Sequence, residues 1–535
     1  MHVIVQSNQW WRPYAAVDPG TAVLVPDNWD DFGFRTSYDL WFRPADQPSP
    51  SPVLVGRVKI ALADQLPGPS PVPQGDFPDG LPAGEGAWIS VGQDPRYYEV
   101  LEGFGRSGQE VLEELGDVTT LWSSADAEEG LADLARSSPV FEASLLRNVS
   151  LNTILQQWTR IASGGPRRTE YWFSYHPPQA AGEVDRPPLD FQVRPESVPS
   201  SNIHVIIGPN GVGKTTLLRS LANAAVEANR VPTPGGSGIT YNNDVGFASV
   251  LLVAFSAFDP FIGVHPDPEV KFQHVGLTAY GNSDGPGGTP VPRLKEREEL
   301  ALEFIDSLKS IATSGRYDQW VDVLLTLASD RHFNAAVIGD DEEGMPLSDR
   351  PIGRLSTRAG ELTNGAGRAW LDIFMSLSSG HALVLLTLTR LVDLVAERTL
   401  VLLDEPEAHL HPPLLSSFVR ALSELLTDRN GVAITATHSP VVLQEVPKSC
   451  AYKISRARGR ARRPRIETYG ENVGVLTHEI FGLEVRKSGF YAEIEKAVER
   501  FDTYEAVLRF FDHQLGDEAK GLVHVLFADK WAEGR

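Results

Sequence analysis

A chain of 535 residues, 42% apolar and 22% charged, has the composition of a folded protein with a sizeable core, and its length suits about two to four domains. Its 48 Lys and Arg against 70 Asp and Glu leave a net charge of -22, which excludes a generally basic nucleic-acid coat. The single cysteine, Cys450, excludes an intrachain disulfide framework and any multi-cysteine metal centre, and it suits a reducing cytoplasm.

Met1-His2-Val3-Ile4-Val5-Gln6 has no basic stretch followed by an apolar run, so no signal peptide is expected. Residues 1–100 read as short strands and turns. Thr21–Val25 and Ser37–Phe42 are strands around the turn Asn28–Gly33, and Val53–Leu62 is another strand. Prolines from Pro67 to Pro82 mark a loop. Apolar spacing turns helical from Gly108 to Asn148, and Tyr171–Tyr175 returns to strand. Ile203–Ile207 is a continuous apolar run of the kind buried on both faces of an α/β sheet. Residues 293–330 are amphipathic and helical. Leu400–Leu403 and Val432–Ala436 are two more buried strands, and residues 451–535 begin with a basic segment and end in mostly helical sequence. The longest apolar stretch, Ala382–Val395, is broken by Thr387, Thr389, Arg390 and Asp393, so no membrane span is expected.

Four stretches carry chemistry. Gly208-Pro209-Asn210-Gly211-Val212-Gly213-Lys214-Thr215-Thr216 lies between a strand and a helical run and matches the phosphate-loop spacing. Asn210, Gly211 and Gly213 let backbone N–H groups approach phosphates, and Lys214 reaches the β- and γ-phosphates. Thr215 places a hydroxyl on Mg2+, and Thr216 reaches the α-phosphate. Asp404 and Glu405 sit at the C-terminal end of a buried strand, where Asp404 suits Mg2+ and Glu405 a general base. His438 follows the strand Val432–Ala436 and is read as a γ-phosphate sensor. Ser378 and Gly380 open a helix whose amides suit an anion, although such a pair taken alone is a helix N-cap.

Together, and in this order, these stretches resemble the ATP-binding-cassette (ABC) ATPases: phosphate loop, signature, Walker B with catalytic glutamate, and switch histidine. The resemblance implies an α/β fold: an ABC-type P-loop core with an antiparallel β lobe, helical insertions and a C-terminal helical extension. It implies residues 1–200 as a β-rich and helical region, part of it in that lobe. Residues 201–450 would be the core, with a helical insertion near 290–370, and 451–535 a basic hairpin and helices. It further implies ATP and Mg2+ as ligands and a homodimer or higher oligomer, with Ser378 and Gly380 acting on the other subunit's ATP. Ser379 and His381 depart from the family's signature, replacing its first glycine and its glutamine. No Q-loop glutamine is evident, and Leu252–Pro260 occupies the corresponding place.

Asp404-Glu405-Pro406-Glu407-Ala408-His409-Leu410-His411-Pro412 and Thr437-His438-Ser439-Pro440 look like the soluble SMC-, RecF- and OLD-like members of the class, and transporters are the poorest fit. His409 and His411 are expected in loop and packing roles, for want of a third metal ligand. Asp27–Thr36, Ser90–Asp94, Asn202–Gly208 and Glu471–Thr477 are similar to Septu-type (PtuA-like) anti-phage ATPases, which implies a separate HNH-type nuclease partner. No intrinsic nuclease is expected, because no clustered acid pair follows His438. A DNA-repair clamp and a nucleotide-sensing scaffold are the alternatives.

Lys453, Arg456, Arg458, Arg460, Arg462, Arg463 and Arg465, with Gly459 at the tip, read as a basic hairpin. It either contacts DNA or RNA phosphates, or is a solvated hairpin or one that pairs with acids of the protein itself. The helices of Phe490–Leu515 either dock a partner or cover the sheet.

Overall fold

The computed structural model describes residues 1–6, 17–27, 30–45, 51–82, 86–122, 126–147, 149, 151–178, 187–227, 238–242, 246–255, 270–282, 290–314, 316–338, 366–454, 461–486 and 489–533. They form two units: Met1–His204 with Thr215–Ala436, and Val205–Lys214 with Thr437–Arg535.

In the first unit, β1 (His2–Val5), β2 (Thr21–Pro26), β3 (Ser37–Arg43), β4 (Val53–Leu62), β5 (Gly75–Phe77) and β6 (Trp88–Gly92) form one sheet in the order β5-β1-β2-β3-β4-β6. β1 and β2 run parallel and the other neighbours antiparallel. Period-two patterning drives this sheet. In β3, Tyr38, Leu40 and Phe42 are buried while Asp39, Trp41 and Arg43 are half-buried. That face shares a core with Tyr97, Tyr98 and Leu101 of the helix Pro95–Gly103 and Val111 and Leu112 of the helix Arg106–Glu114.

β7 (Tyr171–His176), β8 (Leu189–Val193) and β10 (Gly238–Tyr241) make a small antiparallel sheet, with Phe173 stacked on Phe191 at 5.0 Å. β9 (Ile203–Ile207) leads to the phosphate loop. β11 (Ser249–Ala254), β12 (Lys271–Gly276), β15 (Thr399–Asp404) and β16 (Val432–Thr437) run parallel in the order β12-β11-β15-β16. β13 (Thr278–Asn282) and β14 (Pro290–Leu294) form a hairpin. Every residue of β11, β15 and β16 is buried, as strands covered on both faces require. The Ala433 N–H donates to the Asn202 carbonyl at 2.8 Å, so the chain entering β9 lies beside β16. β16 therefore separates the phosphate-loop strand from the strand bearing Asp404. The fold is α/β, with the glycine loop lying between β9 and the helix Lys214–Val226.

In the second unit, Val205–Ile207 pair in parallel with β17 (Ala451–Ile454), which pairs antiparallel with β18 (Ala461–Arg462). The helices Gly489–Arg500, Tyr504–Phe510 and Asp517–Glu533 pack on one another around Ile494, Val498, Val507 and Val523. Part of the apolar surface of this segment is therefore buried in a small core of its own, while Phe490 and Phe510 stay exposed.

The stretches quoted for the Septu-type resemblance hold joints in the fold. Asp31 accepts from Lys59 Nζ at 2.6 Å and pairs with Arg147. Asp94 caps the helix Pro95–Gly103 and accepts from Arg429 at 2.9 Å. Asn202 donates to the Ser423 carbonyl at 2.7 Å, and Asn472 accepts from the Gly474 N–H at 2.8 Å.

Candidate active site

The phosphate loop begins where β9 leaves the sheet. Gly211 (φ 76°) and Gly213 (φ 92°) take left-handed conformations that side-chain-bearing residues rarely adopt, which is why the turn needs glycine at both. At Gly208 the need is space: a Cβ there would lie 2.4 Å from the Ile454 carbonyl oxygen. Lys214 opens the helix Lys214–Val226 and is buried, with Nζ donating to the Gly208 and Pro209 carbonyls at 3.0 and 3.1 Å. Its ammonium is thus folded back over the loop. Asn210 and Thr216 are exposed.

At the next residue of that helix, Thr215 Oγ1 donates to Asp404 Oδ1 at 3.2 Å. Asp404 ends β15 fully buried, with register partners Ala254 and Ala436. A hydroxyl and a buried carboxylate brought together are the hard oxygen donors that Mg2+ prefers, so the donor set fits the cation.

Glu405 adopts φ 48° and ψ 57°, a left-handed conformation costly for a residue with a side chain. Its N–H donates to the Ala436 carbonyl at 2.9 Å, which pins the turn. The strain falls on the residue expected to be the base. His438 directly follows β16 and is exposed, while Thr437 before it is buried. The Thr437 hydroxyl accepts from the Ser439 N–H at 2.9 Å and Ser439 caps the helix Pro440–Gln444, so the backbone on both sides of His438 is anchored.

Ser378 is the N-cap of the helix Ser379–Leu394 and accepts from the His381 N–H. Its hydroxyl is exposed and lies 2.7 Å from His381 Nδ1. Arg297 donates to the Phe374 and Leu377 carbonyls and holds the segment before this helix. Gly380 is buried against the turn Pro406–His409, where a Cβ would lie 2.5 Å from the His409 carbonyl oxygen. Ser378 and Gly380 are therefore tied to the turn that follows Glu405.

Asp330 escaped the sequence reading. It accepts from His381 Nε2 at 3.2 Å and pairs with His411 Nε2 at 3.0 Å. Its sequence signal is a helix cap, Asp330 Oδ1 accepting from the Phe333 N–H. Nothing in the sequence ties that cap to histidines far along the chain. His411 caps the helix Pro412–Asp428 and lies beside Asp330, half-exposed rather than packed in the core. Arg456, Arg458 and Arg460, and Ser256–Pro260 of the segment in the Q-loop place, lie outside the described residues. Of the rest of the basic hairpin, Arg462 is exposed, whereas Arg463 stacks on Tyr452 at 3.6 Å.

Among the described residues, no helix is long and apolar enough to cross a membrane. Residues 330–444 match a family model described as "AAA domain, putative AbiEii toxin, Type IV TA system". This stretch includes Ser378, Asp404, Glu405 and His438. Among solved structures, cbiO1 from Clostridium perfringens, part of the ABC transporter complex cbiONQ, is 14% identical, with 59% of this chain and 95% of that one covered and a TM-score of 0.28. UvrA2 from Deinococcus radiodurans is 15% identical, with 61% and 40% covered and a TM-score of 0.27. Protein ea59 of Escherichia phage lambda is 36% identical over 540 residues, spanning 96% of each chain. At that identity over nearly the whole length of both, the chain belongs to the same family as protein ea59 of phage lambda.

Proposed function

We propose that this chain is an ABC-class ATPase that binds ATP with Mg2+, dimerises around it, and hydrolyses it to ADP and phosphate. The observation that carries the reading is the 3.2 Å contact between Thr215 and Asp404, which joins the phosphate-loop helix to the acid-bearing strand. Lys214 would exchange its two loop carbonyls for phosphate oxygens. Thr215 and Asp404 would hold Mg2+, whose charge would offset that of the phosphates when bound. Glu405 would take a proton from the attacking water, and His438 would contact the γ-phosphate. Ser378 and Gly380 would close over the nucleotide held by the other subunit. Positioning and charge neutralisation would supply most of the rate.

The finer reading is that nucleotide state governs a separate HNH-type nuclease in anti-phage defence, with nucleic acid reaching the basic hairpin around Arg456–Arg463. It is supported by the resemblance of Asp27–Thr36, Ser90–Asp94 and Glu471–Thr477 to Septu-type ATPases. Glu405→Gln separates binding from hydrolysis. The variant should bind ATP with wild-type affinity and turn it over about a hundredfold more slowly, the usual weight of a general base. Wild-type turnover in this variant would remove Glu405 from the mechanism. Affinity capture of the Glu405→Gln protein with ATP should retain a nuclease subunit, and capture of the chain alone would end the defence reading.

A further inference from the structure

His381, where the signature departs from its family, and His411, after the acid-bearing strand, meet on the Asp330 carboxylate. We propose that Asp330, His381 and His411 form a binding site for a first-row divalent transition ion of the zinc type. The site does not depend on the ATPase reading.

One ligand atom from each residue lies within 4.8 Å of the others. His381 Nε2 stands 3.2 Å from Asp330 Oδ1, and His411 Nε2 stands 3.0 Å from Oδ2. Neighbouring ligand atoms in a tetrahedral zinc shell are about 3.3 Å apart, given bonds of about 2.0–2.1 Å. An ion therefore seats here after a small adjustment of side chains. Two imidazoles and a carboxylate suit zinc, whereas Mg2+ and Ca2+ favour all-oxygen sites. Water would complete the shell, as in zinc sites with three protein ligands.

Asp330 is fixed in place: its side chain is 7% exposed, and Oδ1 accepts from the Phe333 N–H at 2.8 Å.

The other ring nitrogens tell the two histidines apart. His381 Nδ1 is 2.7 Å from Ser378 Oγ, which accepts an Nδ1 proton and leaves the Nε2 lone pair for the ion. The serine O–H is then free to donate elsewhere, so an ion would change what Ser378 offers to a phosphate. His411 Nδ1 accepts from the Leu414 N–H at 3.2 Å, so without an ion its proton sits on Nε2. Loading moves that proton to Nδ1 and costs the helix its cap. With the His411 side chain 51% exposed, the ring has room to turn. Ion binding and the cap of the helix Pro412–Asp428 thus compete.

The test uses the full chain, stripped with chelator, free of nucleotide and in excess Mg2+ so that oxygen-only sites are filled. Zn2+ is titrated by calorimetry and Co2+ by visible absorption. One ion per chain should bind at micromolar level or tighter, with the absorption of four-coordinate cobalt. Asp330→Asn and His381→Ala should each weaken binding by about a hundredfold. His411→Asn keeps a good cap residue while losing the ligand, and should weaken it by at least about tenfold. Wild-type protein that takes up neither ion, or variants that bind as wild type does, would overturn the proposal. If a substitution at Asp330 or His381 unfolds the chain, the wild-type titration and His411→Asn decide. Loss of turnover in Glu405→Gln leaves ion binding untouched, so the two readings fail separately.

Discussion

Asp117 illustrates what a single buried group does to the molecule. Burial pushes its carboxyl up to about 6 from an ordinary 3.8, against the donors that favour its charge: the Thr119 N–H and hydroxyl and the Tyr98 hydroxyl. A raised carboxyl means that the folded state holds the proton more tightly than the unfolded chain. The stability tied to this proton is complete below the unfolded value of 3.8 and is lost as pH rises through about 6. A shift of this size corresponds to about 3 kcal/mol. Asp117→Asn removes the titration while keeping much of the hydrogen bonding, so the decline in stability between about pH 4 and pH 6 should shrink by that order. Denaturant titrations of both proteins across that range measure it. Parallel profiles would mean that the pH dependence arises elsewhere. The sequence carried no hint of this group, because Asp117 reads as an ordinary turn acid until Tyr98 is folded over it. Asp404 and Glu405 were legible because an apolar strand that ends in two acids is a local pattern. The left-handed backbone of Glu405 was not.

Elements repeat that contrast. β9, β15 and β16 could be read because strands buried on both faces need unbroken apolar runs. The six-stranded sheet was half legible: alternation marks β3, but nothing local says that β1 pairs parallel with β2 across a long connection. The mutual core of the C-terminal helices was not legible because an apolar stripe does not name its partner. The helix Ser379–Leu394 shows how tightly one element is placed. Its N-terminal turn touches the turn Pro406–His409 through Gly380, where a methyl would lie 2.5 Å from a backbone oxygen. Alanine should favour the helix by about 1 kcal/mol on propensity. The clash is with backbone, which cannot swing aside, and overpacking of this kind costs about 1–3 kcal/mol. The clash should win. Gly380→Ala is expected to lower the thermal midpoint and, by displacing the Ser378 hydroxyl, to slow ATP turnover. A midpoint at or above wild type would show that the two turns separate freely.

At the scale of the whole molecule, the proposed dimer makes a demand that a single chain does not. If one protomer's Lys214 loop works with its partner's Ser378 helix, each active site draws on two chains. A Lys214→Ala dimer has lost nucleotide binding at both sites. A Ser378→Glu dimer has placed a negative charge toward both phosphates, where like charges repel. Each variant alone should be inactive. When they are mixed and exchanged, a mixed dimer collects both defects in one site and leaves the other site intact, because closed two-fold pairing gives every chain one of each surface. With random exchange about half the dimers are mixed and each has one good site, so turnover should recover to about a quarter of the wild-type level. A double variant carrying both substitutions in one chain should rescue nothing when mixed with itself, but with wild-type chains it should form mixed dimers in which each site has a single defect. Recovery in the first mixture, with loss of wild-type activity in the second, is the signature of sites shared between chains. If the two single variants stay silent after verified exchange, each protomer works alone and the proposed closure by Ser378 is wrong.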